Sequence, residues 1–225
     1  YADFGIAGGD GSMSRSHFIT PRRRWGVKRG DGKTLDMLLG ELNCPFGTRQ
    51  MGVTDEHVAR EPEITRAEQD HFALPSQDRA TAAIDAGLFE QQITPIDIKI
   101  KREMVAFARD EHPKATTADA LSALRPVFEK EGTVTAGNAS GINDGAAALV
   151  LATADAASQA GLTPRARILG YAHAGVRPEG MGIGPIPAVQ ALLKRSELSA
   201  EDFVIVESNG AFASLAIAVT RALGL

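Results

Sequence analysis

The stretch TVTAGNASGINDG, Thr133 to Gly145, decides how this chain is read, together with MGIGPIP, Met181 to Pro187. Both place glycines, small side chains, amides and hydroxyls where a backbone must come close to something, and glycine permits that approach because it has no Cβ. Behind the first stretch, Ala146 to Ala152 is a short apolar run suited to a strand buried on both faces. Ala154 to Ala160 reads as a small-residue helix closed by Gly161. Arg165 to Tyr171 then predicts a strand, Ala188 to Arg195 a helix, Phe203 to Glu207 a strand and Ala211 to Leu223 a helix. Strands alternating with helices predict a mostly parallel, layered α/β sheet. In such sheets functional groups gather at the carboxyl ends of strands, and Ser208 and Asn209 sit at such an end.

Upstream the character differs. YADFGIAGGDG at the start reads as the end of a buried strand entering a glycine turn, so a segment is expected before it. Residues 12 to 53 are irregular, with one candidate amphipathic helix from Leu35 to Leu42. From Thr54 to Gly87 the pattern is helical, with Phe72, Leu74 and Ile84 set among alanines. Thr65 followed by Glu68 forms a capping box, in which hydroxyl and carboxylate satisfy each other's orphan amides. Gly87 offers a left-handed stop, and Pro75 inside the helix, costing about 3 kcal/mol, predicts a kink or a break. Ile93 to Ile100 alternates as a strand does, and Thr117 to Phe128 reads as a helix interrupted near Pro126.

Composition bounds the function. With 44% hydrophobic and 23% charged residues the 225-residue chain has an ordinary globular balance, which argues against disorder. A net charge of -4 and a pI near 5.8 leave no electrostatic footprint for nucleic acid. The basic cluster of Arg22, Arg23, Arg24, Lys28 and Arg29 around Trp25 suits a solvated or subunit-facing loop better than a polyanion site. The single cysteine, Cys44, excludes an internal disulfide and fits a reducing, cytoplasmic compartment. No apolar run approaches the about 20 residues of a membrane helix, and the start of the chain lacks the basic-then-apolar pattern of a signal peptide. The five histidines, His17, His57, His71, His112 and His173, do not have metal-site spacing and are read as structural or exposed.

The words AGGDGSMSR, MGVTDEHVAR, ITRAEQDHFA, LRPVFEKEGTVTAGNASGINDGAAALVL, GYAHAGVRPEGMGIGPIPA and ESNGAFA follow one another along nearly the whole chain. In this order they resemble the words of the thiolase family of acyl-CoA acyltransferases, the acetyl-CoA acetyltransferases and β-ketothiolases. The resemblance implies a layered α-β-α-β-α fold present in part. Residues 1–12 would end the first half, 13–142 form a loop domain covering coenzyme A, and 143–225 begin the second half. It also implies covalent chemistry on coenzyme A thioesters, which are substrate rather than cofactor. One cysteine thiolate takes an acyl group and a second moves the α-proton of acetyl-CoA, giving Claisen condensation or thiolysis of a 3-oxoacyl-CoA. A histidine and an asparagine-held water stabilise the oxyanion. Family members are dimers or tetramers, so a homodimer or homotetramer is expected, with region 12 to 53 covering the site and contributing to tetramer contacts, and with no nucleic-acid or membrane partner.

Carried over by position, Asn209 matches the asparagine that holds the water, and Ser140 the serine that hydrogen-bonds the pantetheine arm. Met51, Phe128, Ala136, Met181 and Phe212 match residues lining the coenzyme A tunnel; sulfur and aromatic groups adapt well around a flexible apolar stem. Gln50 stands where many relatives have histidine, which keeps that tunnel position polar. Each also has a plainer use: Phe128 and Phe212 as core aromatics, Met181 as core filler, Asn209 as a helix cap, Ser140 as a turn residue.

The departures matter as much. The NRLCGSG-like word with the family's first cysteine, its GHP word with the catalytic histidine and its C-x-G-G-G-like word with the second cysteine have no match, and Cys44, in NCPFG, inherits neither role. Gly11 and Gly210 replace two glutamates of the family words, the second beside the oxyanion asparagine. Two readings stand: a portion of a thiolase that does no acyl transfer by itself, or a degenerate, non-catalytic module that binds coenzyme A or a partner subunit. The intact GNASG and MGIGP words favour the first; the replaced glutamates and Pro75 favour the second.

Overall fold

The computed structural model describes residues 2–47 and 49–225; Tyr1 and Thr48, which fall within the N-terminal strand reading and the irregular region, lie outside the described residues. The chain divides into two compact units. One comprises Tyr1–Met51 with Ile142–Ile205, the other Gly52–Gly141 with Val206–Leu225.

In the first unit, β1 (Phe4–Ser12) pairs antiparallel with β8 (Asp144–Ala152), in register from Phe4 opposite Ala152 to Ser12 opposite Asp144. Small residues make this ribbon possible: a Cβ on Gly8 would lie 2.6 Å from the Ala147 carbonyl oxygen. At its end the Asp144 carboxylate accepts from the Ser14 amide at 2.8 Å and the Ser14 hydroxyl at 2.5 Å, and these bonds hold its pKa below the usual carboxylate value. Two short antiparallel ladders follow, β2 (Phe18–Ile19) with β3 (Leu35–Asp36), and β4 (Asn43–Cys44) with β5 (Arg49–Gln50). Between them lies α1 (Met37–Glu41), whose first turn is capped by the Asp36 carboxylate at the Leu38 amide.

The second unit is mainly helical. α2 (Met51–Arg60) precedes α3 (Arg66–Asp85), and β6 (Ile96–Ile100) pairs antiparallel with β7 (Glu103–Phe107). α4 (Ala118–Ser122) starts on a Thr117 cap, and α7 (Ala213–Leu223) closes the chain on Gly224 at φ 70°. Val53, Val58, Ala59, Ile64, Ala73, Leu121, Val134, Ala213, Ala216, Ile217 and Val219 form its buried apolar core. In the first unit, α5 (Ala154–Gln159) is capped by Thr153, and α6 (Pro185–Ser196) begins with proline at its first position, where the missing amide costs nothing.

The capping box at Thr65 and Glu68 is present with both of its bonds, and Gly87 and Gly161 adopt positive φ at 70° and 67°. Other expectations are corrected. α3 runs unbroken through Pro75. Its start is fixed by the capping box, and Arg66 ties it to α4 and the turn after it by donating from Nη2 to the carbonyls of Leu121 at 2.6 Å and Leu124 at 3.0 Å. The predicted helix from Thr117 to Phe128 ends early, at Ser122. The glycines at the chain start lie within an extended strand rather than a turn, and β1 and β8 are exposed along their whole length, not buried on both faces. Arg165 to Tyr171 and Phe203 to Glu207 form no strand. Every ladder among the described residues is antiparallel and two-stranded, so the expected parallel sheet is not assembled within them. A strand exists only with a hydrogen-bonding neighbour, and no described segment pairs with those two in a ladder. No described helix is long and apolar enough to cross a membrane.

Candidate functional site

The Thr133 to Gly145 stretch starts on a buried carboxylate. Glu56, on α2 and 1% exposed, accepts from the Thr133 amide at 3.0 and 2.9 Å, the Val134 amide at 2.9 Å and the Thr133 hydroxyl at 3.0 Å. A carboxylate is tolerated in a protein interior when donors fill its oxygens in this way. The preceding residue must be small, because a Cβ on Gly132 would lie 2.2 Å from Glu56 Oε1.

The following turn is held by Asn138, 4% exposed. Its Oδ1 accepts from the Thr135 amide at 2.7 Å, while Nδ2 donates to the Thr133 carbonyl at 3.0 Å and to Asp70 Oδ1 on α3 at 3.1 Å. Asp70 in turn accepts from Arg66 Nε at 2.7 Å. A Cβ on Gly137 would lie 2.5 Å from Leu121 Cδ2, so this turn packs closely on α4. Ala136 stands exposed at its outer side.

The turn is stitched to the segment entering α7. The Ser140 amide donates to the Ala211 carbonyl at 2.7 Å, Ala139 bridges to Phe212 in antiparallel sense, and the Ala213 amide donates to the Asn138 carbonyl at 2.9 Å. Phe128 meets Phe212 edge to face, with centroids 6.4 Å apart and planes at 80°. Phe128 lies against Gly52, where a Cβ would come within 2.2 Å of the ring. Of the predicted site residues, Phe128, Ala136, Ser140, Asn209 and Phe212 thus belong to this one unit, with Ser140 and Asn209 exposed and both phenylalanines half-buried. Gly210 is confined as well: a Cβ there would lie 3.0 Å from Ala216 Cβ.

Gln50, Met51 and Met181 are grouped with the first unit. Gln50 ends β5 half-buried, after Arg49 at φ 91°, a left-handed backbone that is costly for a non-glycine residue. The Met51 amide donates to the Leu42 carbonyl at 2.9 Å. Met181 lies exposed in a helical turn, Pro178–Ile183, and its carbonyl accepts from the Gly184 amide at 3.1 Å.

Beneath the Phe212 segment, Asp55 of α2 accepts a hydrogen bond from the Ser214 hydroxyl of α7, both residues buried. Burial pushes the Asp55 carboxyl up to about 7; the Ser214 bond opposes this and the neighbouring Glu56 charge adds to it. Among the described residues no group of three His, Cys, Asp or Glu side chains is placed to hold a metal ion. Sequence reading missed Glu56, Asp55, Asn138 and Gly52. The signal for the first two was available: adjacent acids among the core-facing positions of an amphipathic helix.

The chain matches the thiolase N-terminal domain family over residues 1–155 and the thiolase C-terminal domain family over residues 162–225. It is 51% identical over 225 residues to the β-ketothiolase BktB of Cupriavidus necator, covering 99% of this chain and 57% of the relative. The crystal structure of the Bacillus anthracis acetyl-CoA acetyltransferase superposes with a TM-score of 0.96 at 45% identity, covering 100% of this chain and 57% of that one. That of human mitochondrial 3-ketoacyl-CoA thiolase in complex with CoA superposes with a TM-score of 0.94 at 43% identity, covering 100% and 56%. The chain therefore spans a little over half the length of these relatives, and its mixed α/β fold is theirs. With two thiolase domain families matched in succession along its length, the chain belongs to the thiolase family.

Proposed function

We propose that this chain is the coenzyme A-binding part of a thiolase-type acyltransferase, one that condenses acetyl-CoA with an acyl-CoA or cleaves a 3-oxoacyl-CoA by thiolysis. The observation that carries the reading is the joining of the GNASG turn to the Asn209–Phe212 segment, through Ser140 to Ala211 at 2.7 Å and the edge-on Phe128–Phe212 pair. These are the segments that the resemblance assigns to the pantetheine arm and to the oxyanion water. The relative solved in complex with CoA supports a coenzyme A ligand. In this reading Ser140 hydrogen-bonds the pantetheine arm, Gln50, Met51, Phe128, Ala136, Met181 and Phe212 line its path, and Asn209 orients the water that meets the developing oxyanion.

The division at residues 12 and 142 is part of the same proposal, with 13–142 covering the coenzyme and 143–225 opening the C-terminal half. So is a homodimer or homotetramer, which would cover exposed apolar groups such as Ile6, Leu149 and Val150, each more than half exposed. Light scattering tests this, and a monomer counts against it. The two-cysteine chemistry of the family exceeds the one cysteine present, so the isolated chain is expected to bind coenzyme A without turning over acetyl-CoA. Titration calorimetry with coenzyme A on wild type and Ser140→Ala tests the site; equal affinity of the two removes Ser140 from it. Acetylation of Cys44 with formation of acetoacetyl-CoA would overturn the reading that this cysteine inherits neither catalytic role.

A further inference from the structure

We infer that Asn138 is a positioning residue, which holds the Ser140 turn and the Asn209–Phe212 segment in the register that coenzyme A binding requires; the inference rests on the proposed function. The side-chain carbonyl and amide of Asn138 are both engaged within hydrogen-bond distance, and its backbone carbonyl is engaged as well. Within its own turn it bonds the Thr135 amide at 2.7 Å and the Thr133 carbonyl at 3.0 Å. Toward α3 it bonds Asp70 at 3.1 Å, and toward α7 its backbone carbonyl takes the Ala213 amide at 2.9 Å. Asp70 is itself set by Arg66, whose guanidinium also reaches the Leu121 carbonyl at 2.6 Å. The chain Arg66–Asp70–Asn138, buried at Asp70 and Asn138 and half-buried at Arg66, therefore transmits the position of α3 to the backbone two residues before Ser140. A fully satisfied buried network of this sort fixes one geometry, whereas a half-satisfied one does not. Asn138 itself is buried and Ser140 exposed, so the first acts through the second.

The test uses Asn138→Asp, which keeps the shape and the acceptor but loses the donor and faces Asp70 with a like charge. Its partner is the exchanged pair Asp70→Asn with Asn138→Asp, which returns a donor to that contact from the other side. Two measurements are made on the whole chain: coenzyme A affinity by calorimetry, and amide hydrogen exchange resolved at Ser140 and Ala213. Asn138→Asp is expected to weaken coenzyme A roughly tenfold, the effect of losing a hydrogen bond to a charged group. Exchange should quicken at Ser140 and Ala213 ahead of the rest of the unit, and the exchanged pair should recover part of the affinity, because the contact with residue 70 regains its donor while the Thr133 carbonyl does not. Unchanged affinity with unchanged exchange at those amides overturns the inference, as does an acceleration spread evenly over the unit, which marks a merely structural role. Should Asn138→Asp fail to fold, Asp70→Ala removes the anchor on α3 alone and is read the same way. If wild type takes no coenzyme A, the proposed function falls, and the exchange pattern by itself decides whether Asn138 sets the two segments.

Discussion

The Ser214 hydroxyl donates to the Asp55 carboxylate inside the second unit, joining α2 to α7 across 159 residues of sequence. Among the described residues Asp55 Oδ1 has no hydrogen-bond partner, and burial raises this carboxyl to about 7 from an ordinary 3.8. Between those values the folded chain holds a proton that the unfolded chain has released, so stability falls as pH rises through this window and is flat above it. The full loss is on the order of 4 kcal/mol, at about 1.4 kcal/mol per unit of displacement. Asp55→Asn removes the ionisation and retains a group that can pair with Ser214. Denaturant midpoints at pH 5 and pH 8 should therefore differ less in the variant than in wild type, and parallel changes in both proteins would refute this origin.

Gly132→Ala should be strongly destabilising. The new Cβ would meet Glu56 Oε1 at 2.2 Å and the Glu129 carbonyl oxygen at 3.0 Å, so the carboxylate must leave the Thr133 and Val134 amides. Abandoning charged hydrogen bonds in a buried site costs about 3 kcal/mol, which a urea unfolding curve resolves.

Gly52→Ala tests the packing behind Phe128. Helix propensity alone would favour alanine by about 1 kcal/mol, but overpacking against a ring costs about 1–3 kcal/mol, so the clash is expected to win. The Cβ would stand 2.2 Å from the Phe128 ring, which pairs with Phe212. The expected result is modest destabilisation with weaker coenzyme A binding in calorimetry; tighter binding would contradict the role given to the two rings.

Thr65→Ala should lower stability by about 1 kcal/mol, a shift in melting temperature of about 2–4 °C. Thr65 Oγ1 accepts from the Glu68 amide at 3.3 Å, and Glu68 Oε2 accepts from the Thr65 amide at 2.7 Å. The capped turn carries Arg66, which orients Asp70 and through it Asn138, so coenzyme A affinity should fall as well, by less than in Asn138→Asp; circular dichroism melting beside calorimetry measures the two effects.

Local chemistry is what could be read directly. The Thr65–Glu68 box, the left-handed glycines at 87 and 161, and the bodies of α6 and α7 depend on residues within a few positions of each other, and the structure has them. The strand readings at Arg165 to Tyr171 and Phe203 to Glu207 failed because alternation marks a segment able to pair without supplying its neighbour. The expected burial of β8 failed for a similar reason: an apolar run shows what a strand would bury, not what lies over it.

The sequence by itself determined the family, through words whose order survives whatever the fold does with them, and the helix ends, whose capping bonds close over three or four residues. Tertiary structure alone decided that Pro75 sits in an unbroken helix, that Glu56 grips Thr133 across 77 residues and that Asn138 meets Asp70 across 68. Those outcomes depend on which buried donors find which acceptors once distant segments pack. A polar residue in a linear sequence carries no record of its partner, yet burying it is favourable only when that partner is there.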